Sequence, residues 1–308
     1  MISGLDPANQ QFLTSLNDLQ QRVQTAEVQL SSGLRVNQAS DAPQSVGDIF
    51  QARADLGNAN QVSQNLTNIK AQADAADSAL QTAVQVLQQA AVLATQGATS
   101  TTTATQQKQI ASQVQALQSQ LVSLSRTQVA GVYIFSGDNS GSPSYQLDPS
   151  SPTGVDRLIV TQATQQIADP TGVTFQIAMT AQDLFDKRDS SDNPAPENAF
   201  TALQNLETAL QNGDQNGISQ ALSSIQSASA YVNQQAGFYG AVQNRISAAV
   251  TLAQKFQVQS QTDLSSLQDA DIPTVATELT QLTTSLNAAM SAQAHRPIST
   301  LFDYLPLM

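Results

Sequence analysis

The chain has 308 residues, a formal net charge of −12, no cysteine, no tryptophan and a single histidine. That acidity argues against phosphate-backbone binding, which draws on clustered Lys and Arg; the missing cysteines exclude disulfides and thiolate metal sites, and one histidine cannot make a paired-histidine zinc site. Only 5% of residues are aromatic, and the abundance of Ala, Gln, Ser, Thr, Leu and Val suits slender helices packed by small side chains better than a pocketed globule.

Near the start, Phe12, Leu16, Leu19, Val23, Ala26 and Leu30 alternate steps of four and three, the narrow apolar seam of a coiled-coil helix. Turn formers and cap candidates then fill 31–47, read as a linker. From about Asp48 to Thr95 no proline occurs, and Leu80, Val84, Leu87, Ala91 and Ala94 keep the same rhythm, predicting a helix of ~70 Å. A polar break at 97–105 precedes another seam, Ile110, Val114, Leu117, Leu121 and Leu124. The β-favouring run Val132-Tyr133-Ile134-Phe135 ends in a turn signal at 136–139, and the helical period is lost until about 195. Short β-type runs, Leu158-Ile159-Val160 and Val173 to Ile177, lie there among Gly, Pro and Asp. Helix returns from about Asn198, breaks at 212–217 and continues from Ile218 to about Leu267, again ~75 Å. A linker at 268–273 leads to a last seam of Val275, Leu279, Leu282, Leu286 and Ala289.

The order is a palindrome: short helix, linker, long helix, insertion, long helix, linker, short helix. It predicts a mainly α fold with an inserted β domain, the two halves running out and back as an antiparallel long-helix rod. Five segments are expected: 1–47, an assembly helix with its linker; 48–135, one half of the rod; 136–195, a mainly β outer domain; 196–267, the other half; and 268–308, a linker and second assembly helix.

Each terminal helix offers five or six apolar side chains on an otherwise polar surface and is marginal alone in water. The seams Phe12, Leu16, Leu19, Val23 and Leu30, and Val275, Leu279, Leu282 and Leu286, either complete an intramolecular bundle or become ordered through subunit contacts, and periodicity does not decide between these. The shared design of both ends, each set off by a linker, favours subunit assembly.

No catalytic, cofactor or metal site is expected. His295, beside Arg296 and Pro297, reads as a cap or surface residue, and acidic pairs such as Asp74 and Asp77, or Asp269 and Asp271, read as helix-end and solvated charges. No apolar run approaches the ~20 residues of a membrane span, and the residues from Met1 to Pro7 lack the features of a Sec signal.

The segment Ser32 to Pro43, with Gly33, Arg35, Asn37, Asp41 and Pro43, resembles the phrase that ends the first helix in the flagellin superfamily. Asp269-Ala270-Asp271-Ile272-Pro273 is similar to the run before that family's last helix. Gly131 to Gly137 and the C-terminal Leu301-Phe302-Asp303-Tyr304-Leu305 resemble signatures of its hook-associated members. Ala42 stands where the family commonly has a second aspartate.

The resemblance implies a non-enzymatic structural protein of the bacterial flagellum. It would be exported unfolded through the flagellar type III channel and self-assembled, outside the cell, as a short helical tier at the hook–filament junction. It implies as partners further copies of the chain, a neighbouring hook-associated protein, flagellin and an export chaperone, with no nucleic acid and no membrane insertion. A filament subunit is the alternative; a soluble coiled-coil scaffold is the second.

Overall fold

The computed structural model describes residues 7–99 and 102–295. In chain order these form α1 (Pro7–Ser32), α2 (Val46–Gly97), α3 (Ala104–Ser125), β1 (Gln128–Val129), β2 (Val132–Tyr133), β3 (Tyr145–Leu147), β4 (Val155–Arg157), β5 (Gln166–Ala168), β6 (Thr174–Gln176), α4 (Ala181–Phe185), α5 (Ala199–Asn212), α6 (Gln215–Gln268) and α7 (Ile272–Ala294). The two long helices have 52 and 54 residues, close to 80 Å each at ~1.5 Å per residue. The elements gather into two units, one of residues 59–255 and one of the flanking stretches 7–58 and 256–295, with α2 and α6 contributing to both. The insertion at 136–195 belongs to the larger unit rather than standing apart.

In that unit α2 and α6 run antiparallel. Leu80, Ala83, Leu87, Ala90 and Ala94 bury one stripe of α2, and Ile218, Ala221, Ile225, Ala228 and Val232 the matching stripe of α6, each at the three-four spacing of a single helix face. Near the middle of both helices, Gln243 Nε2 donates to Asp74 Oδ1 at 3.0 Å. Alanines in the stripes let the backbones approach closely. Gly97 closes α2 where a β-carbon would strike Leu210 of α5, so its smallness is a packing requirement.

Helix α3 packs on α5 through Val114 and Leu121 against Leu203, Leu206 and Leu210. Its start is fixed by a reciprocal capping box, Thr103 accepting from the Gln106 amide at 3.3 Å and Gln106 Oε1 accepting from the Thr103 amide at 2.8 Å. Helix α5 opens on Asn198, whose Oδ1 accepts from the Thr201 amide at 2.9 Å, and ends on Gly213 in the left-handed region.

Among the described residues the strands pair as three separate antiparallel hairpins, β1–β2, β3–β4 and β5–β6. The first turns through Ala130 and Gly131, both at positive φ, as a two-residue connection requires. Two sequence expectations shift here. Only Val132 and Tyr133 of the 132–135 run are strand, while Ile134 and Phe135 are buried in the core. The apolar run 158–160 lies just past β4, whose residues pair with Tyr145–Leu147; partner register, not intrinsic propensity, placed that strand.

The insertion shares one core with the helices. The Phe135 ring meets Phe185 edge-on at 5.9 Å and Tyr239 of α6 at 6.4 Å, and Tyr145 lies 5.2 Å from Phe200. Beneath these rings Asp186, fully buried, accepts from Tyr145 Oη (2.8 Å), Arg188 Nε (2.8 Å) and Asn198 Nδ2 (2.6 Å). Burial, reinforced by the neighbouring Asp186 charge, pushes the Tyr145 phenol far above its usual range, so it stays a donor.

Gly154 at φ +70 lies where a β-carbon would overlap the side-chain amides of Gln118 and Gln204. Gly154→Ala combines left-handed strain with displacement of the buried Gln118. It is expected to cost about 2–3 kcal/mol, checked by denaturant unfolding; a loss below about 0.5 kcal/mol would contradict this packing.

Glu207 of α5 is buried, and desolvation raises its carboxyl pKa, partly offset by the Gln211 amide donating to it at 2.9 Å. With the folded pKa above the unfolded one, the folded chain binds more protons, and stability falls as pH rises through this titration. Glu207→Gln is therefore expected to raise the thermal midpoint at neutral pH, with the gain shrinking as pH falls toward the carboxylate range. An unchanged midpoint at pH 7 would count against it.

Candidate assembly surface

The smaller unit is built from segments far apart in sequence. Gly33 ends α1 in the left-handed conformation, its amide donating to Gln29 O at 2.9 Å. Its carbonyl then accepts from the Ala270 amide at 2.9 Å, and Gln268 O accepts from the amides of Arg35 (2.7 Å) and Val36 (3.2 Å). The Arg35 guanidinium donates to Leu267 O at 2.8 Å, among the last carbonyls of α6, where the helix dipole favours a cation. Gln268, buried, returns a bond from Nε2 to Val36 O at 3.3 Å. The stretch read as a linker is thus a latch between 33–36 and 267–270.

Within the loop Asp41 Oδ2 accepts from the amides of Asn37 (2.9 Å) and Gln38 (2.8 Å), and Asn37 Nδ2 donates to Leu34 O at 2.8 Å. Asn37 and Asp41 thus bond within the loop, whereas Arg35 reaches across to α6. Pro43 is exposed. Ala42 is buried with Val36 and Ile49 against Leu264 and Leu267, which accounts for an apolar residue there: an aspartate would place a carboxylate in that cluster.

Helices α1 and α7 pack together. Val23 and Ala26 meet Val275, Leu279 and Leu282, with Ala270 beside them, and Arg22 is paired with Glu278 at 2.9 Å on the exposed rim. Helix α7 begins at the Asp271 cap with Pro273 in its first turn. Of the two predicted seams, only these residues close on one another. Phe12, Leu16, Leu19 and Leu286 stay half-exposed, and Leu30 is exposed. Most of the exposed large apolar residues among those described also lie in this unit, namely Leu13, Val28, Leu30, Phe50, Phe256, Val258, Ile272 and Met290. Sequence pattern missed Phe50, which is 64% exposed; an apolar residue inside a long helix signals burial by default. It also missed Gln268 and the Arg22–Glu278 pair, whose partners are set by tertiary contact alone.

Leu301 to Leu305, the C-terminal signature, lie outside the described residues. His295 caps α7, its Nδ1 2.8 Å from Ser291 O. Among the described residues no three His, Cys, Asp or Glu side chains gather as a metal site, and no helix is long and apolar enough to cross a membrane.

Several solved structures share this fold. A Vibrio parahaemolyticus protein described as a candidate flagellar hook-associated protein has a TM-score of 0.64 at 15% identity, covering 74% of this chain and 100% of its own. The flagellar hook-associated protein-3 of Legionella pneumophila gives 0.59 at 14% identity, covering 71% and 98%. The flagellar junction protein FlgL of the same organism gives 0.55 at 13% identity, covering 65% and 99%. No curated protein matches the sequence. The model of the bacterial flagellin N-terminal helical region matches residues 6–140 and that of the C-terminal helical region residues 222–305; with more than two thirds of its length so matched, the chain belongs to the bacterial flagellin family, structural proteins of the flagellum.

Proposed function

We propose that this protein is the junction subunit between flagellar hook and filament, exported as an unfolded chain and assembled outside the cell as a short helical tier. The observation that carries the assembly reading is the smaller unit, whose terminal seams close on each other around Val23, Ala26, Val275, Leu279 and Leu282, leaving Phe12, Leu16, Leu19 and Leu286 only half-buried and Leu30, with neighbours such as Leu13, Val28 and Met290, exposed. Exposed apolar surface of this kind is ordinarily covered by a partner. Phe12, Leu16, Leu19, Leu30 and Leu286, with the partly covered Val23 and Leu279, are the proposed subunit contacts, and the latch of Gly33, Arg35, Asn37 and Asp41 sets the geometry of the α1–α7 pair. The role is structural rather than catalytic. Its partners are further copies of the chain, a neighbouring hook-associated protein, flagellin and an export chaperone.

Placement at the junction, rather than along the filament, is supported by the hook-associated and junction proteins among the structures that share the fold, and by the sequence signatures at 131–137 and 301–305. The flagellin family models favour a filament subunit equally well. Immunogold electron microscopy on intact flagella, with antibody raised to residues 138–195, separates the two. A single band at the hook–filament boundary is expected; label along the whole filament would make the protein a filament subunit.

A further inference from the structure

Gly237 and Gly240 lie inside α6, one turn apart, and at both a β-carbon would meet nothing within 4 Å. Glycine weakens a helix interior through its backbone freedom, a cost explained at Gly97 by the leucine pressed against it. No neighbour explains it at 237 and 240. The turn they enclose is held at the insertion: the Tyr239 hydroxyl accepts from the Met179 amide at 3.1 Å, and its ring packs edge-on against Phe135, the residue that leads into the insertion. The insertion holds α6 on both sides of that turn as well. Tyr231 Oη donates to Asp183 O at 2.7 Å, and the Arg245 guanidinium stands 4.4 Å over the Phe175 ring. A displacement of the insertion therefore loads α6 at 231, 239 and 245, and the softest backbone between those points is the glycine turn.

We propose that Gly237–Gly240 is a compliant joint at which α6 bends to follow the insertion docked on Tyr239. Helix kinks concentrate at such residues, and this one sits where the insertion holds the helix, so tilting of the insertion is absorbed within one turn of α6 instead of breaking the aromatic core.

Hydrogen exchange on the full-length chain, resolved to short peptides, tests it. Amides of 237–244 are expected to exchange faster than those of the flanking turns at 226–232 and 247–253. Gly237→Ala and Gly240→Ala, both compatible with the open space, are expected to slow them about fivefold each, the equivalent of about 1 kcal/mol per glycine. Uniform protection along α6 in the natural sequence, or a fast turn that the alanines leave fast, would overturn the joint. Tyr239→Phe removes the acceptor for Met179 and is expected to quicken exchange in the same turn; an unchanged turn would overturn its coupling to the insertion.

Discussion

Asp186→Ala is expected to lower folding stability by about 3–5 kcal/mol, the range for breaking a buried charge pair by removing one partner. The Asp186 carboxylate is the shared acceptor of Tyr145, Arg188 and Asn198 and is fully buried. Without it the Tyr145 hydroxyl is buried with no partner, and Arg188 keeps only its contacts to Asp192. Asn198 keeps its bond to Lys187 O at 3.2 Å, so the cap of α5 weakens without vanishing. Tyr145→Phe removes one donor and leaves the carboxylate two, and about 1 kcal/mol is expected. Urea unfolding of both variants reads the ratio. If Asp186→Ala cost no more than Tyr145→Phe, the carboxylate would not be the hub that fastens β3 to the α4–α5 connection.

The second large effect is expected on assembly. Leu282→Asp places a carboxylate among Ala26, Val275 and Leu279, forfeiting about 2–3 kcal/mol of leucine burial and adding the desolvation of a charge. The α1–α7 pair has few other apolar contacts to offset that loss. Polymer yield in sedimentation is expected to fall below detection, and limited proteolysis to trim α1 and α7 rapidly while a fragment near 59–255 persists, since its buried residues form a separate cluster. Unimpaired polymerisation would show that closure of α1 on α7 is not needed for assembly.

The helices were legible because their apolar residues repeat at three-four spacing and their ends carry local chemistry: Asn198 and Asp271 at starts, Gly33 and Gly213 at stops. The long-helix pair and the antiparallel strand region between its halves follow the sequence reading closely. The small strands were legible only as a region, because a two- or three-residue strand is placed by its partner; hence Val155–Arg157, rather than the more apolar 158–160, pairs with Tyr145–Leu147. Helix α4 went unseen because five residues carry no periodicity, although its capping box, Thr180 with Asp183, was available in the sequence. At the proposed assembly surface the seams were legible as stripes, but which half of each stripe is covered depends on where α1 meets α7. The motif at 33–43 looked like a linker because glycine, asparagine and proline punctuate it; that its backbone is satisfied by residues 267–270 has no local signal.

That latch bears on the order in which the chain can fold. It joins residues 232 positions apart, so closing it from an unfolded chain carries a long-loop entropy. The stretch 59–255, by contrast, contains its own partners, including the α3–α5 pair and three hairpins of local contact order. Folding of that stretch shortens the effective loop before the latch forms, which makes the latch a late event. Substitutions such as Arg35→Ala should accordingly leave the refolding rate nearly unchanged and speed the opening of the α1–α7 pair.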